Sequence, residues 1–498
     1  MNTQLFRNLG LEDLVEEEKI VGEANLDGTN SVEDGLLDVE EAQGEAIKDQ
    51  QQTEDLVQDI DGLENVSQAL ETASMEGLVS RDALNFVKIH CDTINRRWGV
   101  EVLPSASMEA FDKDDAQAVK ISMEGIGETM KTMWKALIAK LKKMWTSFRN
   151  WLVKVFDVCP RIKERAMQLK RRSVDVKFPS NVVLPEKYKG DYRLTLHGKA
   201  MDGNTMISSL KLSQMLVDHA LDNRQGESAK KLVEEIVFTI KHMATSENYT
   251  DNNIQTGAIN TFTAFMKEYA QSIVGHLEKD PTRRNFFQNA KSGDKQQQDA
   301  FHRLGEIFQA QRSREMPGGA AVIVTTPANP FKTIGAFFDI AKMAELWKLQ
   351  LDFYDANFQP GKLNKLILEA LDAKKISAMC DVVIGLCDRI TEYKRGWEIR
   401  QNTQEKAAND IQKTMDLIEK KSDASVRARY VRNAVQAISR IWRVLTTFDN
   451  QVISYAINEM RAVLQWCTHS VAYYAESLDA PKAGDSDYRS SSRDVVLK

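Results

Sequence analysis

Between Ile126 and Phe156 every large apolar side chain falls on one side of a helix. At 100° per residue, Ile126, Met130, Met133, Trp134, Leu137, Ile138, Leu141, Met144, Trp145, Phe148, Trp151, Leu152, Val155 and Phe156 share one arc. That arc is roughly 140° wide, the signature of an amphipathic helix. Lys131, Lys135, Lys142 and Arg149 line one edge of it, and Lys140, Lys143 and Lys154 the other. The predicted helix is about 45 Å long at 1.5 Å per residue. Its basic character continues through PRIKERAMQLKRR.

No such pattern precedes it. Residues 1–73 are rich in Glu, Asp, Gln, Gly and Asn, and their apolar residues come in short clusters such as Leu9, Leu11, Leu14 and Val15, or Leu56, Val57, Ile60 and Leu63. Low hydrophobicity with high charge predicts disorder, or weak helix without a core. Residues 80–98 read as one helix, with Ser80 as N-cap and Gly99 past the end. Residues 100–124 are loop-like.

Downstream, residues 174–178, 181–185 and 191–198 have strand chemistry, separated by Pro179, Pro185 and Gly190. Helical periodicity returns over 208–221, 227–244, 253–277 and, more weakly, 296–311. PGGAAVIVTTPANP, residues 317–330, holds one β-like run, expected to join the earlier strands in a small sheet. Near the C-terminus Ile376, Met379, Val383, Leu386, Ile390, Tyr393 and Trp397 recur at spacings of three and four. Ile441, Leu445, Phe448, Val452 and Tyr455 repeat the pattern. Two long antiparallel helices are expected there, with 331–375 supplying further helices around them.

The predicted architecture is therefore mainly α: long helices packed as a bundle with a small β element, preceded by an acidic, largely disordered propeptide. Its parts are the acidic segment 1–124, the basic amphipathic helix 125–172, a helical domain with a few short strands over 173–330, a helical bundle over 331–478, and a disordered tail over 479–498.

Charge sharpens the first boundary. The chain of 498 residues has a net charge of −6. Residues 1–124 carry 9 Lys+Arg against 29 Asp+Glu, a net of −20; the remainder carries 57 against 43, a net of +14. Such asymmetry points to an acidic tail beside a body with an anionic partner, either nucleic acid or a membrane surface. The five cysteines are scattered and lack metal-ligand spacing, which suggests a reducing compartment and no disulfide framework. Cys380 and Cys387, seven apart, read as packing on one helix face. The N-terminus lacks the pattern of a secretory signal. No window of about 20 uncharged apolar residues suggests a membrane span.

Catalytic signatures are absent: there is no GxxxxGK[ST], HExxH or GxSxG, and no clustered Cys/His set. His219, His242, His276 and His302 stand singly in helical stretches. Arg427, Arg429, Arg432, Arg440 and Arg443 make a basic helix face whose default reading is a solvated surface. No catalytic residue, metal ligand, cofactor or small-molecule substrate is assigned.

One tripeptide recurs before the basic helix, as Ser74-Met75-Glu76, Ser107-Met108-Glu109 and Ser122-Met123-Glu124. A shuffled chain of this composition would contain roughly a tenth of one. With the acidic leader and the basic helical body, the copies resemble the internal head, or inner-body, proteins of phiKZ-like giant tailed phages. In that family a prohead protease cuts after Ser/Ala/Gly-x-Glu. The resemblance implies cleavage after Glu76, Glu109 and Glu124, leaving Gly125 as the mature N-terminus. Gly10-Leu11-Glu12, Ser31-Val32-Glu33 and Gly62-Leu63-Glu64 fit the looser pattern. Gly396-Trp397-Glu398 fits it too, in a position expected to be shielded within a helix.

The resemblance also implies a non-enzymatic protein made in the host cytoplasm and housed inside the capsid. Its partners would be the prohead protease, other head proteins, packaged DNA and, after ejection, the host membrane. Lys131, Lys135, Lys142 and Arg149, with Trp134, Trp145 and Trp151, are the expected membrane or nucleic-acid contacts. The apolar arc is expected either to meet a membrane or to pack against the helical body. Two other readings stand beside this one. The chain could be a peripheral membrane-active protein with an autoinhibitory leader, or a nucleic-acid-binding protein whose leader mimics DNA.

Overall fold

Residues 29–75 obey a spacing that their composition hides. Val39, Ala42, Ala46, Asp49, Thr53, Leu56, Ile60 and Leu63 lie on one seam at alternating steps of three and four, with Leu70 a full heptad further on, and apart from the half-buried Ala42 all are buried. A strict 3.5-residue repeat drifts about 20° per heptad on a straight helix, which blurs any 3.6-residue pattern. Small and polar residues at Ala42, Ala46, Asp49 and Thr53 blur it further. These residues form helix α1 (Thr29–Met75), in a computed structural model. It describes residues 29–76, 81–98, 115–220 except 180 and 189, 231–239, 272–279, 285–289, 308–327, 349–353, 366–394 and 424–479, with a few isolated positions besides.

The leader segment is thus helical where it is described. α1 does not stand by propensity, since an isolated acidic helix is marginal in water. Tertiary packing holds it, with Leu56, Ile60 and Leu63 fully buried. Helix α2 (Arg81–Trp98) folds back on it: Arg97 makes an ion pair with Asp59 at 2.9 Å, and the Trp98 indole donates to the same carboxylate at 2.8 Å.

Helix α3 (Asp115–Arg172) is 58 residues, about 87 Å at 1.5 Å per residue. It begins before the expected 125 and runs through Pro160 without ending. Lys170, Arg171 and Arg172 crowd its last turn, where cations favour the helix dipole. Ser173–Asp175 form a single 3-10 turn, so residues 174–178 are not the expected strand. A two-residue hairpin follows. β1 (Thr195–Leu196) pairs with β2 (Lys199–Ala200) through His197 and Gly198, both at positive φ, as a type I′ turn requires. Of the run 181–185, Val183 makes only an isolated bridge to Glu369. Helix α4 (Gly203–Ala220) starts where Asp202 accepts from the backbone N–H groups of Asn204 and Thr205 at 2.9 and 3.0 Å.

The small sheet is antiparallel, in the order β3 (Phe287–Asn289), β4 (Phe308–Ser313), β5 (Ala320–Pro327), β6 (Leu349–Phe353). β5 is the run expected from the sequence, but its neighbours are not the earlier strands. It pairs with β4, whose Phe308–Gln311 belong to a stretch expected to be helical, and with β6, from the region expected to supply only helices. Helical period and strand pairing compete over such short polar runs, and here the ladder to β5 decides. The sheet leans on the C-terminal helix, where Gln451 accepts from the Leu351 amide at 2.9 Å.

Helix α5 (Ala373–Glu392) is capped by Asp372, which accepts from the Lys375 amide at 2.8 Å. Helix α6 (Ala424–Asp479) runs antiparallel to it: Cys387 meets Met460 at 3.9 Å and Met379 meets Cys467 at 4.0 Å. One continuous core joins α1, α3, α4, α5 and α6. The molecule is mostly helical with a small antiparallel sheet.

Candidate functional site: the acidic helix and the face it covers

The position of α1 follows from its polar contacts. Asp38 accepts from Lys154 at 3.1 Å, Asp49 from Lys143 at 2.8 Å, and Gln52 from Lys140 at 2.5 Å. As the residue number rises on α1 it falls on α3, so the two run antiparallel. α6 provides a second wall. Arg461 reaches Glu40 at 3.4 Å, and Gln50 donates to Thr447 at 2.6 Å, again in antiparallel order. Arg165 of α3 donates to Thr468 of α6 at 3.1 Å. α1 therefore lies along both long helices, which run parallel to each other.

Asp49 anchors this arrangement. It is buried within the seam, and its other oxygen accepts from Ser147 at 2.5 Å. Burial pushes its carboxyl up. Hydrogen bonds from Lys143 and Ser147, with the nearby lysine charges, outweigh burial and hold it below the usual carboxylate value. Lys143 is raised correspondingly, first by its hydrogen bond to Asp49.

The apolar arc of α3 is buried throughout its described length. Trp134, Trp145 and Trp151 are 2%, 3% and 0% exposed, and Met133, Leu137, Leu141, Phe148, Leu152 and Val155 are buried with them. The ring of Phe148 packs 5.2 Å from that of Trp151. The indole N–H groups of Trp134 and Trp151 are buried without an acceptor. Beyond this stretch the arc continues through Cys159, Ile162, Ala166 and Leu169 into the same core.

The residues nominated from the sequence separate cleanly. Lys135 and Arg149 are exposed and Lys142 is half-buried, so this flank lies at the surface. The opposite flank, Lys140, Lys143 and Lys154, meets the acidic helix. The side chain of Lys131 lies outside the described residues. Glu76 sits exposed in the turn that ends α1, its amide donating to Thr72 at 3.1 Å. Glu124 lies inside α3, nine residues after its start. Glu109 lies outside the described residues, as do the looser matches at Glu12 and Glu398. Ser31-Val32-Glu33 and Gly62-Leu63-Glu64 fall within α1. Asp38, Glu40 and Asp49, which hold the leader down, were not nominated. The seam spacing of α1 was the available signal.

Among the described residues no group of three or more His, Cys, Asp or Glu side chains is placed to hold a metal ion, and no helix is long and apolar enough to cross a membrane. All five cysteines are free thiols.

These features describe a helical protein whose acidic N-terminal helix is built into the core along one basic flank of a long amphipathic helix. Over residues 27–469 the chain matches the model of the phiKZ-like phage internal head proteins, and it belongs to that family. The match takes in α1 and ends within α6. No curated protein and no solved structure matches the chain. It is an internal head protein, located inside the virion capsid in association with other virion components.

Proposed function

We propose that the protein is made in the host cytoplasm as a precursor and is matured by the prohead protease. The cuts fall after Glu76, Glu109 and Glu124; the mature chain is packaged with the genome and ejected into the host. The observation that carries this reading is the placement of all three Ser-Met-Glu copies before residue 125, where the net charge changes from −20 to +14. Removing the leader converts a mildly acidic chain into a basic one suited to coexist with packaged DNA. The role is structural rather than enzymatic.

The three sites differ in local structure. Glu76 lies in an exposed turn, the setting in which proteases act most readily. Glu124 is helical, so a protease that binds an extended strand must first unwind the opening turns of α3.

Mass spectrometry of purified particles tests the reading. The chain should begin at Gly125 and lack peptides from residues 1–109. Leader peptides at the same abundance as body peptides would overturn it.

A further inference from the structure

Four of the chain's five cysteines meet in two pairs, although the members of each pair are far apart in sequence. Cys159 of α3 hydrogen-bonds with Cys387 of α5, and the Cys387 sulfur lies 3.9 Å from the Met460 sulfur of α6. One heptad away along α5 the arrangement recurs. Cys467 of α6 hydrogen-bonds with Cys380 of α5, and its sulfur lies 4.0 Å from that of Met379, also on α5. The antiparallel register explains the repetition, because Cys380 and Cys387 are seven apart on one helix, and Met460 and Cys467 seven apart on the other. Seven residues span about 10 Å of helix, so the two clusters are separate. Each has a central thiol that touches a second thiol and a thioether. All six side chains are at most 1% exposed.

We propose that each cluster binds a soft monovalent metal ion of the copper(I) class, held by Cys159, Cys387 and Met460 at one site and by Cys380, Cys467 and Met379 at the other. Aliphatic side chains would fill the same space; two thiols and a thioether add affinity for a soft ion. Ligand number narrows the class further. Zinc takes four ligands from thiolate, imidazole and carboxylate donors. Among the described residues no three His, Cys, Asp or Glu side chains converge to supply them. Spacing agrees with a three-sulfur site. Sulfurs at about 2.3 Å from a common centre, spread in a plane, stand about 4 Å apart. That is the separation already present between Cys387 and Met460 and between Cys467 and Met379. Charge agrees as well. A monovalent ion that displaces one thiol proton leaves the net charge of the core unchanged, where an uncompensated charge is costly. The second thiol and the thioether then bind through lone pairs. Once filled, the first site ties α3 to α5 and α6, and the second ties α5 to α6. Both lie outside residues 1–124, so they belong to the precursor and to any processed chain alike.

The test titrates the full reduced chain with copper(I) under anaerobic conditions, in competition with a coloured copper(I) chelator. Two equivalents should be withheld from the chelator, with a sulfur-to-copper charge-transfer band in the near ultraviolet and an unchanged helical signal. Zinc(II) at the same concentration should not be retained. Cys387→Ala and Cys467→Ala should each remove one equivalent, and the double variant both. Cys91→Ala, which alters the cysteine outside the clusters, should keep two. Met460→Leu nearly conserves volume, so it separates lost ligation from lost packing; it should weaken one site at least tenfold and leave the other as it was. Copper(I) should also raise the melting temperature of the parent chain and not that of the double variant. Retention of fewer than two equivalents would overturn the proposal, as would equal retention by the double variant. So would copper uptake that appears only with loss of the helical signal, since the ion would then be held by the unfolded chain.

Discussion

Asp49 of the acidic helix lies buried against Ser147 of the basic one, its carboxylate accepting from the Ser147 hydroxyl at 2.5 Å and from Lys143 at 2.8 Å. A carboxylate in a helix seam is costly unless its lone pairs are filled, and here α3 fills them. The contact therefore fixes the register of α1 as well as holding it. Asp49→Ala leaves the buried Ser147 hydroxyl without its acceptor, and should weaken α1 by about 1–3 kcal/mol. Hydrogen exchange should show amide protection lost across α1 with α5 unchanged. Acid should act in the same direction. The Asp49 carboxyl is held below its ordinary value, so its contribution is present at neutral pH and is lost as pH falls through the folded-state value. Exchange along α1 that is insensitive to acid would contradict this role.

Trp151 and Arg149 make a sharper comparison, two residues apart on one helix. Trp151 is fully buried against Phe148, while Arg149 is exposed. Trp151→Ala should cost about 3–5 kcal/mol, as large-to-small changes in a close-packed core do. Arg149→Ala should stay within about 0.5 kcal/mol. Thermal melts of the full chain should separate the two by many degrees; similar melting temperatures would mean that the arc is not core in solution.

How much of this was legible depended on where the apolar residues were large. The arc of α3 was visible because bulky side chains occupy nearly every inward position. The α5 and α6 seams stood out for the same reason. α1 shares the heptad-like spacing but fills its centre with Ala46, Asp49 and Thr53, so composition spoke for disorder while its tertiary partner specified helix. Strand β4 was misread because polar residues such as Gln309 and Gln311 carry little periodicity, and only pairing with Thr326 and Val324 settles their conformation. The face of α3 could be drawn from the sequence. Its cover could not, because the recognition lies in Asp38, Glu40 and Asp49, ordinary acidic residues until the partners are known.

The proposed cuts after Glu76 and Glu124 should come in a definite order. Glu76 lies in an exposed turn and Glu124 within a helix, so a time course with the prohead protease should show the fragment ending at Glu76 before any chain beginning at Gly125. Helix opening then limits the second cut, and mild denaturant should speed it more than the first. Simultaneous appearance of both products would show that the start of α3 is open in the precursor.

The thiols offer a probe of the same core. Cys159, Cys380, Cys387 and Cys467 are buried, and Cys91 is half-buried, with its thiol pushed up to about 11, chiefly by burial. A thiol titration at neutral pH should find no fast-reacting group in the native chain, since thiolate rather than thiol reacts. All five should react in denaturant. Rapid modification of Cys387 or Cys467 in the native protein would mean that α5 and α6 separate readily.

Glu459 should set the pH dependence of the C-terminal packing. It lies on α6, fully buried, and accepts from Ser209 at 3.1 Å and from Ser213, both on α4. Burial is the largest influence and raises its carboxyl from 4.5 to about 7, against the opposing hydrogen bonds from the two serines. A raised folded-state value means the neutral form is favoured by folding. Its contribution is complete below 4.5 and declines as pH rises toward 7. The full swing is on the order of 3 kcal/mol. Glu459→Gln keeps the shape without the titration, so the variant should show a flatter stability profile across that window and equal or exceed the wild type above neutral pH. Denaturant unfolding at a series of pH values reads this directly, and parallel profiles for the two proteins would show that Glu459 stays ionised between α4 and α6.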